Sequence, residues 1–278
     1  MKRIELSYKK NCYRNLMLRI QYDGSAYNGW QRLPAKPKTI QGILERCLLE
    51  ILEEEISIIG SGRTDTGVHA IEQTANFHTV TDLTTKALKE QMNSLLPKDI
   101  RIIGIEEVDK NFHSRYQAVS KTYEYRIEIG ERQSVFTSKY CYFSQSNLDI
   151  KEMDKAALFL VGEHDFKGFS TDRKDGKSTI RTINDIKIYS RKNKTHFRPI
   201  EEIYIQINGN GFLYNMVRII AGTLIEVGEG KRSPESIKDI FKLKKRELAG
   251  MTAIPGGLYL LEVRYPIPNY KNFAKIIY

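Results

Sequence analysis

An arginine and an aspartate two residues apart, Arg63 and Asp65, stand in the middle of IIGSGRTDTGVHA, residues 58–70, with Gly60, Gly62 and Gly67 around them. Glycine lets a backbone turn tightly, and an aspartate in such a loop is most often a turn residue bonded to its own backbone. Arg63 favours a second reading. Residues two apart in an extended segment point to one face, so guanidinium and carboxylate can pair. A neighbouring cation keeps a carboxylate ionised, which a nucleophile requires. A phosphate cradle fits the stretch less well: Asp65 stands where G-x-G-x-x-G needs its third glycine, and its charge would repel a pyrophosphate. The chain also lacks the G-K-[ST] signature of nucleotide hydrolysis.

Other residues could join such chemistry. KTYEYRIEI puts Tyr123 and Tyr125 on one face of a strand, with Lys121 beside them and Arg126 opposite. Paired tyrosines of this kind either pack across strands or offer a base a stacking surface. Arg218 lies in FLYNMVRIIAGTLIEVG, where Leu213, Val217, Ile220, Leu224 and Val227 form a predicted buried stripe and Asn215, Arg218 and Gly222 share another face. There Arg218 either pairs with Glu226 on the surface or holds an anion beside a cleft. His69, four residues after Asp65, reads as an acid–base partner or as a structural histidine. His113, in NFHSRY with Arg115 and Tyr116, suits RNA contact and equally suits an ordinary loop. Cys12, Cys47 and Cys141 are scattered, with no CxxC pair and no histidine at ligand spacing, so they read as free thiols with no zinc site.

The elements that must position these residues follow from periodicity. In the first half LMLRIQYDG reads as a strand. TIQGILERCLLEILEEE carries apolar residues at helical spacing after Thr39, a capping residue. ISIIGSGRT and IEQTANFHTV read as strands, TTKALKEQMNSLLP as a helix stopped by Pro97, and DIRIIGIEEV as a strand. After FHSRYQAVSK the same grammar returns: TYEYRIEI, helical LDIKEMDKAALFLVG, strands TINDIKIYSR and EIYIQING, helical GFLYNMVRIIAGTLIEVG, and a closing strand GLYLLEVRYP. STDRKDGKST reads as an exposed basic loop. The expected fold is α+β, two similar α/β halves at 1–112 and 113–278 enclosing one cleft.

Composition narrows the class. The 278 residues carry a net charge of +10, with 16 tyrosines and 11 phenylalanines, a balance that suits neutralising phosphates and stacking on bases. No stretch approaches the roughly 18 consecutive apolar residues of a membrane span. The start, MKRIELSYKKNCYRNLMLRI, is too charged for a signal peptide's apolar region, so a cytoplasmic protein is expected.

Several blocks in order carry a resemblance: YDGSAYNGWQRLP, TIQGILE, GSGRTDTGVHA, FHSRYQAVSKTYEYRI, GFLYNMVRIIAGTLIEVG and GLYLLEV. Together they resemble the TruA family of tRNA pseudouridine synthases over nearly the whole chain. Thr66 is a departure, since the family more often has alanine there. The resemblance implies the pseudouridine synthase fold, with mainly antiparallel sheets around a basic central cleft. It implies isomerisation of uridine to pseudouridine without cofactor or metal, at positions 38, 39 and 40 of the tRNA anticodon stem-loop, by a homodimer. By position Asp65 is the catalytic nucleophile, Arg63 pairs with it and helps displace the target nucleotide, Arg218 orients it, and Tyr123 stacks on the extruded uracil. Addition at C6, attack at C1′ and removal of a sugar proton all stay open, as do two other readings: a related synthase acting on ribosomal RNA, and a catalytically inactive RNA-binding protein.

Overall fold

The computed structural model describes residues 13–35, 38–171, 178–194 and 199–266. Two compact units divide the chain: Met1–Val119 with Leu260–Tyr278, and Ser120–Tyr259.

In the first unit strand β1, Arg14–Tyr22, is buried along almost its whole length. Helix α1, Ile40–Leu52, starts where Thr39 Oγ1 accepts the N–H of Gly42, the cap its sequence predicts. The chain then runs through strand β2, Ile59–Gly60, strand β3, His69–Thr79, helix α2, Thr85–Leu95, and strand β4, Ile100–Val108. β1 lies between β3 and β4, antiparallel to both, and β2 pairs antiparallel with β3. The expected ISIIGSGRT strand shrinks to two residues, because the backbone leaves the sheet at Ser61 to form the loop that carries Asp65. β3 is buried on both faces. The second face is covered by the segment after β4: Asn76 Nδ2 donates to the Phe112 carbonyl (3.2 Å) and Asn76 Oδ1 accepts from Ser114 N (2.9 Å). Every polar group on that face therefore needs a partner.

In the second unit strand β5, Ser120–Ile129, is followed by strand β6, Tyr142–Ser144, and helix α3, Ile150–Leu158, capped by Asp149. Strands β7, Gly162–Asp165, β8, Ile180–Lys194, and β9, Pro199–Gly209, precede helix α4, Met216–Gly228, and helix α5, Ser236–Leu243. The sheet order here is β5-β9-β8-β7, antiparallel at each step, with β6 parallel to β5. Strand β10, Leu258–Arg264, runs from the second unit into the first, where it lies beside β3. The fold is thus mixed α/β, as the sequence patterning predicts, with mostly antiparallel strands, as the resemblance implies. Residues 172–177 of the predicted basic loop lie outside the described residues.

Two local expectations change. α4 is buried nearly all round rather than along one stripe, with Ile219, Ala221, Gly222 and Thr223 buried as well. α3, β5 and the chain around residues 249–254 all pack on it. α5 was not anticipated: it is only eight residues long, although Ile237, Ile240 and Phe241 stand at helical spacing and Phe241 packs on Phe166 and Phe169.

Candidate active site

The Asp65 loop is held by its backbone. Ser61 donates through its N–H to the Thr74 carbonyl (2.8 Å) and through Oγ to Gln73 Oε1 (2.6 Å), while Gln73 Nε2 returns a bond to the Gly62 carbonyl (3.1 Å). Thr64 is buried. Its carbonyl accepts the N–H of Trp30 (3.0 Å) and its Oγ1 shares a hydrogen bond with the Tyr22 hydroxyl (2.8 Å). Burial pushes that hydroxyl up to about 12. The next carbonyl, of Asp65, accepts from Val68 N (3.1 Å) and closes a turn whose third residue, Gly67, has φ 80°. A side chain at that φ would be strained, so the turn requires glycine. The turn bond uses the backbone carbonyl of Asp65, not its carboxylate.

Close packing fixes the loop from the other side. Gly29, at φ 84°, lies so near that a Cβ there would stand 2.6 Å from the Thr64 carbonyl oxygen. Burial alternates along the loop: Arg63 exposed, Thr64 buried, Asp65 half-buried. The ion pair expected between Arg63 and Asp65 is not made among the described residues. Residues 63–65 are not a strand, so the two-residue alternation behind that expectation does not hold, and an exposed arginine gains little from one carboxylate.

His69 resolves in favour of its structural reading. It is buried at the start of β3, and its Nδ1 accepts the N–H of Gly24 (3.1 Å) beside Asp23 Oδ1 (3.1 Å). Through these contacts the ring pins the 23–25 turn.

Tyr123 and Arg218 belong to the second unit. Tyr123, on β5 opposite Ile207, is buried and meets Phe212 edge to face at 5.3 Å. Arg218, in the first turn of α4, does not pair with Glu226, which instead binds Arg232 (2.9 Å) and the N–H of Met251 (2.8 Å). Arg218 Nε donates to the Ala253 carbonyl (2.7 Å) and Nη1 to Asn215 Oδ1 (3.0 Å). Asn215 holds the left-handed conformation at φ 61° and donates to Thr171 Oγ1 (2.8 Å). Beside it the hydroxyl of Tyr125 donates to the next carbonyl, Ile254 (2.9 Å); burial raises its pKa, with the Arg218 charge opposing. A guanidinium tethered on two sides is presented in one orientation.

Sequence reasoning missed Gly29, Trp30 and the Ala253 carbonyl as supports, and placed Asn215 on the face of Arg218 without giving it a role. Asn in front of a helix was the one local signal among them, since asparagine tolerates the left-handed region.

A family model described as tRNA pseudouridine synthase matches residues 19–117 and 156–266. The chain is 44% identical over 253 residues to a protein of Clostridium tetani named tRNA pseudouridine synthase A 2, covering 91% of this chain and 99% of that one. It is 43% identical over 252 residues to tRNA pseudouridine synthase A of Thermoanaerobacter sp. strain X514, covering 91% and 100%. To tRNA pseudouridine synthase A 2 of Bacillus cereus it is 41% identical over 251 residues, covering 90% and 99%.

Proposed function

The chain belongs to the tRNA pseudouridine synthase family, isomerases that convert uridine in tRNA to pseudouridine, and from that premise we propose that it acts at positions 38, 39 and 40 of the anticodon stem-loop with Asp65 as nucleophile. The reaction breaks the N1–C1′ bond and joins C5 to C1′; N1 gains a proton and C5 loses one to solvent. Chemistry on a base requires taking it out of its stack, at a cost of a few kcal/mol. Tyr123 supplies the ring against which the uracil lies, Arg218 supplies a fixed cation to the reaction, and exposed Arg63 takes the displaced backbone. No cofactor or metal enters these steps.

The observation that supports Asp65 is its place in the loop. Thr64 before it and Val68 after it are buried and bonded, so the half-buried carboxylate leaves a backbone that cannot shift without breaking those bonds. Preorganisation of this kind is what positions a nucleophile. Incubating the protein with unmodified tRNA and ribosomal RNA transcripts, then mapping pseudouridine at nucleotide resolution, tests the reading. Product is expected at tRNA positions 38–40 for the wild type and nowhere for Asp65→Asn or Asp65→Ala, with tRNA affinity retained in both. Product confined to ribosomal RNA would overturn the target, and activity in either variant would overturn the role of Asp65.

We propose further that the protein works as a homodimer in the cytoplasm. No helix among the described residues is long and apolar enough to cross a membrane. Sedimentation at assay concentration checks the dimer.

A further inference from the structure

The NFHSRY stretch is left unused by the active site, yet it is among the most firmly anchored loops of the first unit. Asn15 Nδ2 donates to the carbonyls of Asp109 and Phe112, each at 2.9 Å. Ser114 is fully buried: its N–H reaches Asn76 Oδ1 (2.9 Å), its carbonyl accepts the Tyr265 hydroxyl (2.6 Å), and its Oγ donates to the Ile59 carbonyl (2.5 Å) on β2, which leads directly into the Asp65 loop. The side chains on either side of Ser114 point outward.

Tyr116 is 78% exposed, the most exposed tyrosine among the described residues. Its ring is not loose. It rests on the His113 imidazole at a centroid distance of 4.2 Å and a tilt of 32°, and His113 Nδ1 in turn accepts the N–H groups of Arg115 (3.2 Å) and Tyr116 (3.3 Å). The exposed Arg115 guanidinium lies 6.0 Å from the Tyr116 centroid. A single exposed tyrosine needs no explanation. An aromatic face held flat by a second ring, flanked by a cation and carried on a loop bonded into the core, is the arrangement that stacks a nucleic-acid base while a neighbouring phosphate is neutralised.

We propose that Tyr116, backed by His113 and flanked by Arg115, is a stacking platform for a base of the tRNA other than the reacting uridine. The proposal rests on the tRNA reading above. Because Ser114 ties the platform to Ile59, base stacking there sets where the RNA lies relative to the Asp65 loop of the same unit. Net charge of +10 on the chain favours an RNA occupant over an apolar one.

The test measures binding of a fluorescently labelled, unmodified tRNA transcript by anisotropy, and turnover by tritium release from tRNA carrying 5-tritiated uridine. Tyr116→Ala should weaken binding and raise KM by about 5- to 150-fold, the loss of one base stack, with kcat moved far less. Tyr116→Trp should restore both. Arg115→Ala should reduce the salt dependence of binding by about one phosphate contact. Tyr116→Ala that binds tRNA as the wild type does, while the wild type releases tritium, overturns the platform and leaves the activity standing. A wild type that releases no tritium overturns the tRNA reading itself. Unchanged tRNA affinity combined with altered sedimentation would assign the ring to a protein contact and overturn the proposal too.

Discussion

Gly29→Ala is the sharpest probe of how the Asp65 loop is positioned. The residue has φ 84°, and an alanine there costs about 1–2 kcal/mol from backbone strain alone. Its Cβ would also stand 2.6 Å from the Thr64 carbonyl oxygen, so that oxygen must retreat by about 0.8 Å to reach the ordinary contact range that begins at 3.4 Å. The same oxygen accepts the N–H of Trp30 at 3.0 Å, so the retreat strains that bond as well. Overpacking of this kind costs roughly 1–3 kcal/mol, which brings the expected destabilisation to about 2–5 kcal/mol. Thr64 precedes Asp65 directly, and a displacement approaching 1 Å at a reacting group lowers kcat by up to about 100-fold. Gly230→Ala is the matched control: its φ is 70°, but nothing lies within 4 Å of the new Cβ. It should show the backbone strain only, about 1–2 kcal/mol, with kcat unchanged. Urea midpoints and single-turnover tritium release on unmodified tRNA measure both quantities. Equal destabilisation by the two substitutions, or a Gly29→Ala kcat matching the wild type, would refute the reasoning.

Three further outcomes are expected. Tyr123→Phe should retain most activity because the ring remains, whereas Tyr123→Leu should lose about 1–3 kcal/mol of stacking, read as kcat/KM on tRNA; equal effects would remove the stacking role. The Tyr22 hydroxyl, pushed up to about 12 by burial, is protonated in the folded state over a range where the unfolded chain ionises. Its contribution to stability is therefore complete below pH about 10 and is lost as pH rises from 10 towards 12, and Tyr22→Phe should flatten that limb of a urea-midpoint profile. At neutral pH the same substitution leaves Thr64 Oγ1 without its 2.8 Å partner and should cost about 1–2 kcal/mol, readable as a lower urea midpoint.

Local signals made much of the fold legible. Thr39 was readable as a cap because a hydroxyl just before an apolar helical period has one nearby use, and it accepts the N–H of Gly42; Thr84 and Asp149 cap α2 and α3 in the same way. The strands of TYEYRIEI and EIYIQING follow from strict alternation, and their register pairs Tyr123 with Ile207 and Tyr125 with Ile205. α5 and the strands β6 and β7 escaped because runs of eight, three and four residues are too short to establish a period.

Of the residues singled out, the types were legible and the partners were not. GSGRTDTGVHA by itself marked a turn carrying a carboxylate, and the ordered blocks around it identified the family. Only the tertiary structure took residues 63–65 out of strand alternation and gave Arg218 the Ala253 carbonyl, 35 residues away, in place of the expected Glu226. It likewise set Gly29 against Thr64 and laid Tyr116 on His113. The reason is one of range. Periodicity and capping arise from neighbours within about four residues, so they are written in the chain order. Which carbonyl a guanidinium meets, or which backbone a glycine must clear, depends on segments that become neighbours only once the core is packed.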